Sequence, residues 1–408
     1  MKKMNKFFVV LLAALMLVGC SSGSGDDNSV QEITFWHAMN GAQEEALTKI
    51  TADFMAANEN ITVTLQNQSS YKDLQAKINA TLASPKDLPT MTQAYPNWLY
   101  AAAESEMLVD LSGHMNKITD LDDIAPALLD GAKILGTQYG IPFNKSTEVL
   151  YYNADLLAEY GVEVPTTMEE LATASKTIWE KSNGKVVGAG FDSLNNYYAI
   201  GMASEGVSFD KDLDITSDKS VEVLSFYQEG IKAGYFRIAG EDGYLSGPFG
   251  SQVIAMNIGS MAGEGHVKKA ADGAFEYGVA PRPSSKNLQQ GTDLFVFQAS
   301  EGKIDATMKY MDYLVSPEAQ LHWAVTTGYM PVRTSVQQSE EYKNSASKVA
   351  PILADATKDL FAIPVIANSD PAYNLTREFV EKILADTKVD PITVLKEYKP
   401  LLDTTWNQ

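Results

Sequence analysis

The chain has 408 residues, a formal net charge of −20 at pH 7 and 45% hydrophobic residues. Such acidity excludes a nucleic-acid surface and a basic membrane-surface patch, because both need clustered Lys and Arg to meet phosphate. A length beyond ~250–300 residues with this apolar content predicts two domains, each with its own core.

At the N-terminus Lys2, Lys3 and Lys6 precede an uncharged apolar run from Phe7 to Val18. The run is shorter than the ~20 residues of a membrane-spanning helix and has the layout of a secretory signal. It ends in Leu17, Val18, Gly19 and Cys20, small residues before the chain's one cysteine, and so resembles a bacterial lipobox. A single thiol makes no disulfide framework, and lipid attachment gives Cys20 a role. The expectation is a signal over residues 1–19, then a lipidated Cys20 and a flexible tether to residue 30. A cleaved signal with an incidental cysteine is the alternative. Loss of the signal removes three lysines and no acids, which takes the charge to −23. No later apolar run approaches spanning length, so contact with a membrane is expected through the lipid anchor only.

Glu32 to Trp36 reads as a strand. After it, Ala46, Leu47, Ile50 and Phe54 fall on one helical stripe, the pattern of a helix laid on a sheet. Ile61 to Gln66 is the next strand, which completes a right-handed parallel βαβ unit. A helix carrying Leu74, Ile78 and Leu82 and a strand from Pro89 to Ala94 repeat the pattern, so the fold class is α/β. Ligands of open parallel sheets bind beyond the carboxyl ends of the strands. The loops there pair aromatics with hydrogen-bonding groups: Trp36 with His37, Tyr71 with Ser69 and Ser70, and Tyr95 with Trp98.

From Pro142 to Asn153 a polar half (Asn144, Lys145, Ser146, Thr147) runs straight into strand formers (Val149, Leu150, Tyr151, Tyr152). This places hydrogen-bonding side chains at the mouth of a buried strand. A second α/β region follows, with a capping box of Thr166 and Glu169 ahead of Met168, Leu171 and Ile178. The stretch from Ser251 to Gly263 reads as a buried strand running into a Gly-rich turn with Ser260. Another strand begins near Gly291, then a helix with Ile304, Met308, Met311 and Leu314, then a helix opened by Pro317. The last seventy residues read as mostly helical, with turn signals at Pro371 and Pro391.

No catalytic or metal-binding constellation emerges. His37, His114, His266 and His322 are scattered, without HExxH spacing or a Cys/His cluster. The single GxSxG match, Gly19 to Gly23, overlaps the lipobox and lacks the strand and helix a nucleophile elbow needs. No Walker loop or GxGxxG occurs, and no cofactor is implied.

Three segments, FWHAMNG after the first strand, PFNKSTEVLYYN in the middle and TTGYMPV further on, occur in an order that is similar to a known family. The chain resembles the extracellular solute-binding proteins of ABC importers, in the group of the maltose-binding and glycerol-3-phosphate-binding proteins. The resemblance covers essentially the whole chain beyond the tether. It implies a two-lobed fold with three interlobe crossovers, with residues 31–146 and 297–331 in the N-terminal lobe and 147–296 and 332–408 in the C-terminal lobe. It also implies a monomer, not an enzyme, that closes on a small-molecule solute and then docks on membrane permease subunits at the extracellular face.

Position by position, the glycerol-3-phosphate binders imply that Tyr71, Ser146, Ser260, Gly291 and Tyr329 contact solute. Trp36, His37, Tyr95, Asn144, Tyr197 and Arg377 complete the expected site. Three positions depart from that relative: Pro96 stands in place of a carboxylate, Phe191 and Tyr197 in place of a Trp-rich loop, and Asn374 near an expected arginine. Arg suits phosphate because its fork bonds two oxygens. Two solutes therefore stay open, a carbohydrate or polyol held by aromatics, and a glycerophosphate held by Arg377, Lys145 or backbone N–H groups. A lipid-anchored hydrolase and a structural surface lipoprotein are the remote alternatives.

Overall fold

The structure is a computed structural model that describes residues 30–407. The expected signal, Cys20 and nearly all of the tether lie outside the described residues. Ten strands form two five-stranded sheets: β1 (Gln31–His37), β2 (Ile61–Asn67), β3 (Met91–Ala94), β4 (Gly140–Ser146), β5 (Glu148–Asn153), β6 (Val187–Phe191), β7 (Phe236–Ile238), β8 (Ile254–Ser260), β9 (Tyr277–Pro281) and β10 (Gln290–Val296). The first sheet has the order β2-β1-β3-β10-β4 and the second β9-β5-β8-β6-β7.

In the first lobe β1 pairs parallel with β2 and β3, as a βαβ start dictates. Helix α1 (Ala42–Ala57) lays Ala46, Leu47, Ile50 and Phe54 on the sheet, and α2 (Tyr71–Thr81) covers the other face with Leu74 and Ile78. In the second lobe α3 (Met168–Lys181), α4 (Leu194–Ser204), α5 (Asp218–Ala233) and α6 (Glu264–Ala271) flank the sheet. Helices α7 (Glu301–Leu314) and α8 (Pro317–Thr327) return to the first lobe, and α9 (Ser369–Ala385) and α10 (Pro391–Trp406) pack on the second.

Three expectations need correction. β10 belongs to the first lobe, where it runs antiparallel between β3 and β4. The second crossing therefore lies before it, where Asn287–Leu288 pairs with Leu360–Phe361. The third boundary moves later than residue 332: Arg333 is buried in the first lobe, donating to the carbonyls of Asp120 (2.9 Å) and Thr119 (2.7 Å). The chain reaches the second lobe only where Ser347 and Lys348 bond to Glu264. Finally, the cap of α3 is Thr167, which accepts from the Glu170 N–H at 3.1 Å, one residue beyond the expected box. The Glu170 carboxylate reaches back to Thr166 instead, taking its N–H and hydroxyl at 2.8 Å each. Pro371 and Pro391 both sit in first turns, Pro391 opening α10, where a missing N–H costs nothing.

An interlobe aromatic cleft

The first crossing is a single run of backbone from β4 through Thr147 into β5. All seven residues of β4 are buried, so its polar side chains must find partners inside the protein. Asn144 finds them: its Nδ2 donates to the Tyr71 hydroxyl at 3.0 Å, and its Oδ1 accepts from Thr292 at 2.9 Å. The Tyr71 and Tyr329 hydroxyls lie 3.0 Å apart. Ser70 caps α2 by accepting the Asp73 N–H, which fixes Tyr71 at the first position of that helix. Tyr329 is fixed by stacking on Trp323, with centroids 5.7 Å apart and the planes 13° from parallel.

Tyr95 and Trp98 complete the wall, their rings 5.8 and 6.1 Å from that of Tyr71. Burial pushes the Tyr71 and Tyr329 phenols up, so both stay neutral and able to donate as well as accept. Gly291 has φ of +93°, and a Cβ there would fall 1.9 Å from the Asn144 carbonyl oxygen. Only glycine lets β10 approach β4 this closely.

The second lobe faces this wall through Ser260, whose hydroxyl donates to that of Ser146 at 3.3 Å. Beside it, Asp192 follows β6 and accepts the Leu245 N–H at 2.7 Å. Burial pushes its carboxyl up to about 7, with the Leu245 bond opposing and the charge of Glu148 adding. At the mouth, Gln75 of α2 donates to Asp370 of α9 at 2.7 Å, a contact between the lobes.

Charge in the cleft is already committed. Lys145 pairs with Asp293 at 2.9 Å and Arg282 with Glu148 at 3.0 Å, all four side chains buried. Of the remaining arginines, Arg237 pairs with Asp242 and Arg333 is held by first-lobe carbonyls.

Tyr71, Tyr95, Asn144, Ser146, Ser260, Gly291 and Tyr329 thus converge. Trp36, His37, Tyr197 and Arg377 stand outside the group, which corrects their placement. Alternation along β1 sends Trp36 to the α2 face, where its Nε1 donates to Gln66 at 2.8 Å and Lys77 lies over its ring. His37 goes to the α1 face, bordering a cavity of about 400 Å³ with Glu44, Thr51 and Asn67. Burial lowers its pKa, which favours the neutral ring. Tyr197 is buried in the second lobe's core, its hydroxyl donating to the Val223 carbonyl at 2.6 Å. Arg377 is exposed on α9. Thr292, Asp192, Gln75 and Asp370 were not foreseen; Thr292 alone had a signal, as the polar residue beside Gly291.

Two α/β lobes joined by three crossings, with a hydrogen-bonded aromatic cleft between them, define a two-lobed binding protein. Residues 49–350 match the family described as bacterial extracellular solute-binding protein, and the chain belongs to that family. The sn-glycerol-3-phosphate-binding periplasmic protein UgpB of Escherichia coli K12 is 25% identical over 344 residues, with 76% of each chain covered. Among solved structures, the GacH receptor of Streptomyces glaucescens, studied unliganded and with acarbose, superposes with a TM-score of 0.80 at 21% identity, covering 91% of this chain and 98% of that one. UgpB of Mycobacterium tuberculosis in complex with glycerophosphocholine gives 0.81 at 19%, covering 94% and 99%.

Proposed function

We propose that this chain is the extracellular, lipid-anchored solute-binding component of an ABC importer. It captures a carbohydrate or polyol-type solute in the cleft, closes about its crossings and presents the closed form to permease subunits. The observation that carries the solute class is the commitment of charge: Lys145 and Arg282 are each matched by a buried carboxylate, and Arg377 lies outside the aromatic group. A phosphate dianion is held most strongly by uncommitted donors of the Arg or Lys kind. Neutral hydroxyls need the mixed donors and acceptors that Tyr71, Asn144, Tyr329 and Ser146 supply. Cys20, in a lipobox-like setting, would hold the protein at the membrane.

A second reading, glycerol-3-phosphate or a glycerophosphodiester, is favoured by what UgpB of E. coli and of M. tuberculosis are named as binding. It would rely on backbone N–H groups of the turn after Ser260. A thermal-shift panel of sugars, polyols, glycerol-3-phosphate and glycerophosphocholine separates the two. Solute at ~100 times its dissociation constant stabilises the fold by ~2.7 kcal/mol. Shifts with neutral sugars are the expected outcome; shifts with phosphorylated compounds alone would select the second reading. X-ray scattering with the active solute should show a smaller radius of gyration, and an unchanged radius would remove the closure step.

A further inference from the structure

We propose that the second lobe carries a further ligand site, outside the interlobe cleft, which takes a zwitterion with an apolar body and well-separated charges, of the class of a short apolar peptide. The site goes beyond the importer reading and stands independently of it.

A cavity of about 530 Å³ opens between the first turn of α3, the end of α4, the side of α5 and the loop after β9. Small-molecule sites usually enclose ~300–1,000 Å³. None of the residues that converge in the aromatic cleft lines this one. Its floor is Arg282, only 5% exposed. The Arg282 Nε donates to Glu148 at 3.0 Å, whereas Nη1 and Nη2 have no acceptor among the described residues. Ser204, at the end of α4, adds a hydroxyl that is buried without a partner. Buried donors of this kind are costly to leave unmet, and the oxygens of a carboxylate would meet them.

The rim has the opposite sign. Glu169, Glu205 and Glu222 reach it from three different elements, all are exposed, and none of their carboxylates has an ion pair or hydrogen bond among the described residues. Lys219 gives its ammonium to the Glu205 carbonyl and not to a carboxylate. Met168, Val223 and Phe226, half-buried, form the wall between floor and rim. Arg282 and Glu148 cancel, so the three rim acids leave the cavity negative and repel a simple anion. A simple cation would leave the Arg282 donors empty. A molecule with a carboxylate at one end and an ammonium at the other satisfies both, and its apolar body covers the wall. Floor and rim lie at different depths, so the two charges must stand apart. A dipeptide spaces them over two residues, up to ~7 Å when extended.

The test alters the ligand first, because replacing Arg282 would also break its pair with Glu148. Calorimetric titrations at low ionic strength compare Leu-Leu, N-acetyl-Leu-Leu and Leu-Leu amide, each against wild type and a Glu205→Gln/Glu222→Gln double variant. Wild type should bind Leu-Leu, and each blocked peptide should bind about five-fold more weakly or worse. The double variant, changed only at exposed positions, should lose about three-fold or more for Leu-Leu. For N-acetyl-Leu-Leu, which has no ammonium, it should match wild type, and that match also shows the floor to be intact. Leu-Leu amide bound as tightly as Leu-Leu would overturn the Arg282 contact and with it the zwitterion. An unchanged Leu-Leu affinity in the double variant would put the peptide elsewhere and overturn the site. A wild type that does not bind Leu-Leu would leave a water-filled cavity only, which overturns the proposal while the reading of the interlobe cleft stands.

Discussion

Two buried ion pairs flank the first crossing three residues apart, and they differ in how fully they are satisfied. Glu148 is paired to Arg282 and also accepts from Asn196 at 2.9 Å, while the Arg282 guanidinium lies 5.4 Å from the Phe191 ring centroid. Asp293 has Lys145 alone: its second oxygen is buried without a partner, and burial pushes its carboxyl up to about 6 against the pull of Lys145. Lys145 in turn gives a second bond to the Gly291 carbonyl at 3.1 Å, and its own carbonyl takes the Met330 N–H at 2.8 Å. One pair therefore grips the chain in the first lobe and the other in the second. Between them only Ser146 and Thr147 are left to absorb rotation, and Thr147 is itself tied to Leu288 and Met261 of the second lobe. A pivot can be located by what is held rigid on either side of it.

The comparison is most open to attack by removing the cation of each pair. Lys145→Met leaves Asp293 without any donor and should cost ~3–5 kcal/mol in urea unfolding at pH 8. Arg282→Met leaves Glu148 its Asn196 bond and should cost less, about 2–3 kcal/mol. Equal losses would show that the unpartnered Asp293 oxygen carries no weight. Adding Asp293→Leu to Lys145→Met should recover most of the loss, because a buried pair can be exchanged for apolar volume.

Asp192 sharpens the contrast, being a carboxylate beside the cleft that pairs with no cation among the described residues. Its carboxyl, held at about 7, keeps a proton that the unfolded chain releases near ~3.9. The native state thus binds more protons between these values, and this group's contribution to stability rises as pH falls through 7. Asp192→Asn keeps the oxygen that accepts the Leu245 N–H and removes the charge. It should be more stable than wild type by roughly 2–4 kcal/mol at pH 8, with the advantage shrinking below pH 7 and gone by ~4. A pH-independent difference between the two would refute the assignment. The smallest effect belongs to the mouth, where Gln75→Ala removes a single hydrogen bond between the lobes. It should weaken solute binding by ~1 kcal/mol without changing the melting temperature of the solute-free protein; an equal loss of both would make the contact a plain stability element.

Much of the first lobe is legible from pattern alone. Alternation and the helical stripe place β1, α1 and β2 within a residue or two of where they lie, because each buries one face in a local, right-handed unit. The polar mouth of β4 is equally readable, since buried Asn144 and Ser146 beside apolar residues demand partners. The lobe that owns β10 is not readable: a strand with six of seven residues buried carries no mark of which sheet it enters. Alternation separates Trp36 from His37, yet it cannot say that helices cover both faces of the sheet. Gln75 and Asp370 meet across 295 residues, and neither has a local pattern that names the other.

The insertion of β10 between β3 and β4 sets an order of events during synthesis. Strands β5 to β9 come from one continuous stretch, residues 148–281, so the second lobe's sheet can assemble as soon as that stretch is available. The first lobe's sheet stays split, with β3 and β4 unjoined, until residue 290 and beyond has been made. The sheet begun first is therefore closed after the sheet begun second, and its open strand edges persist while β5 to β9 pair.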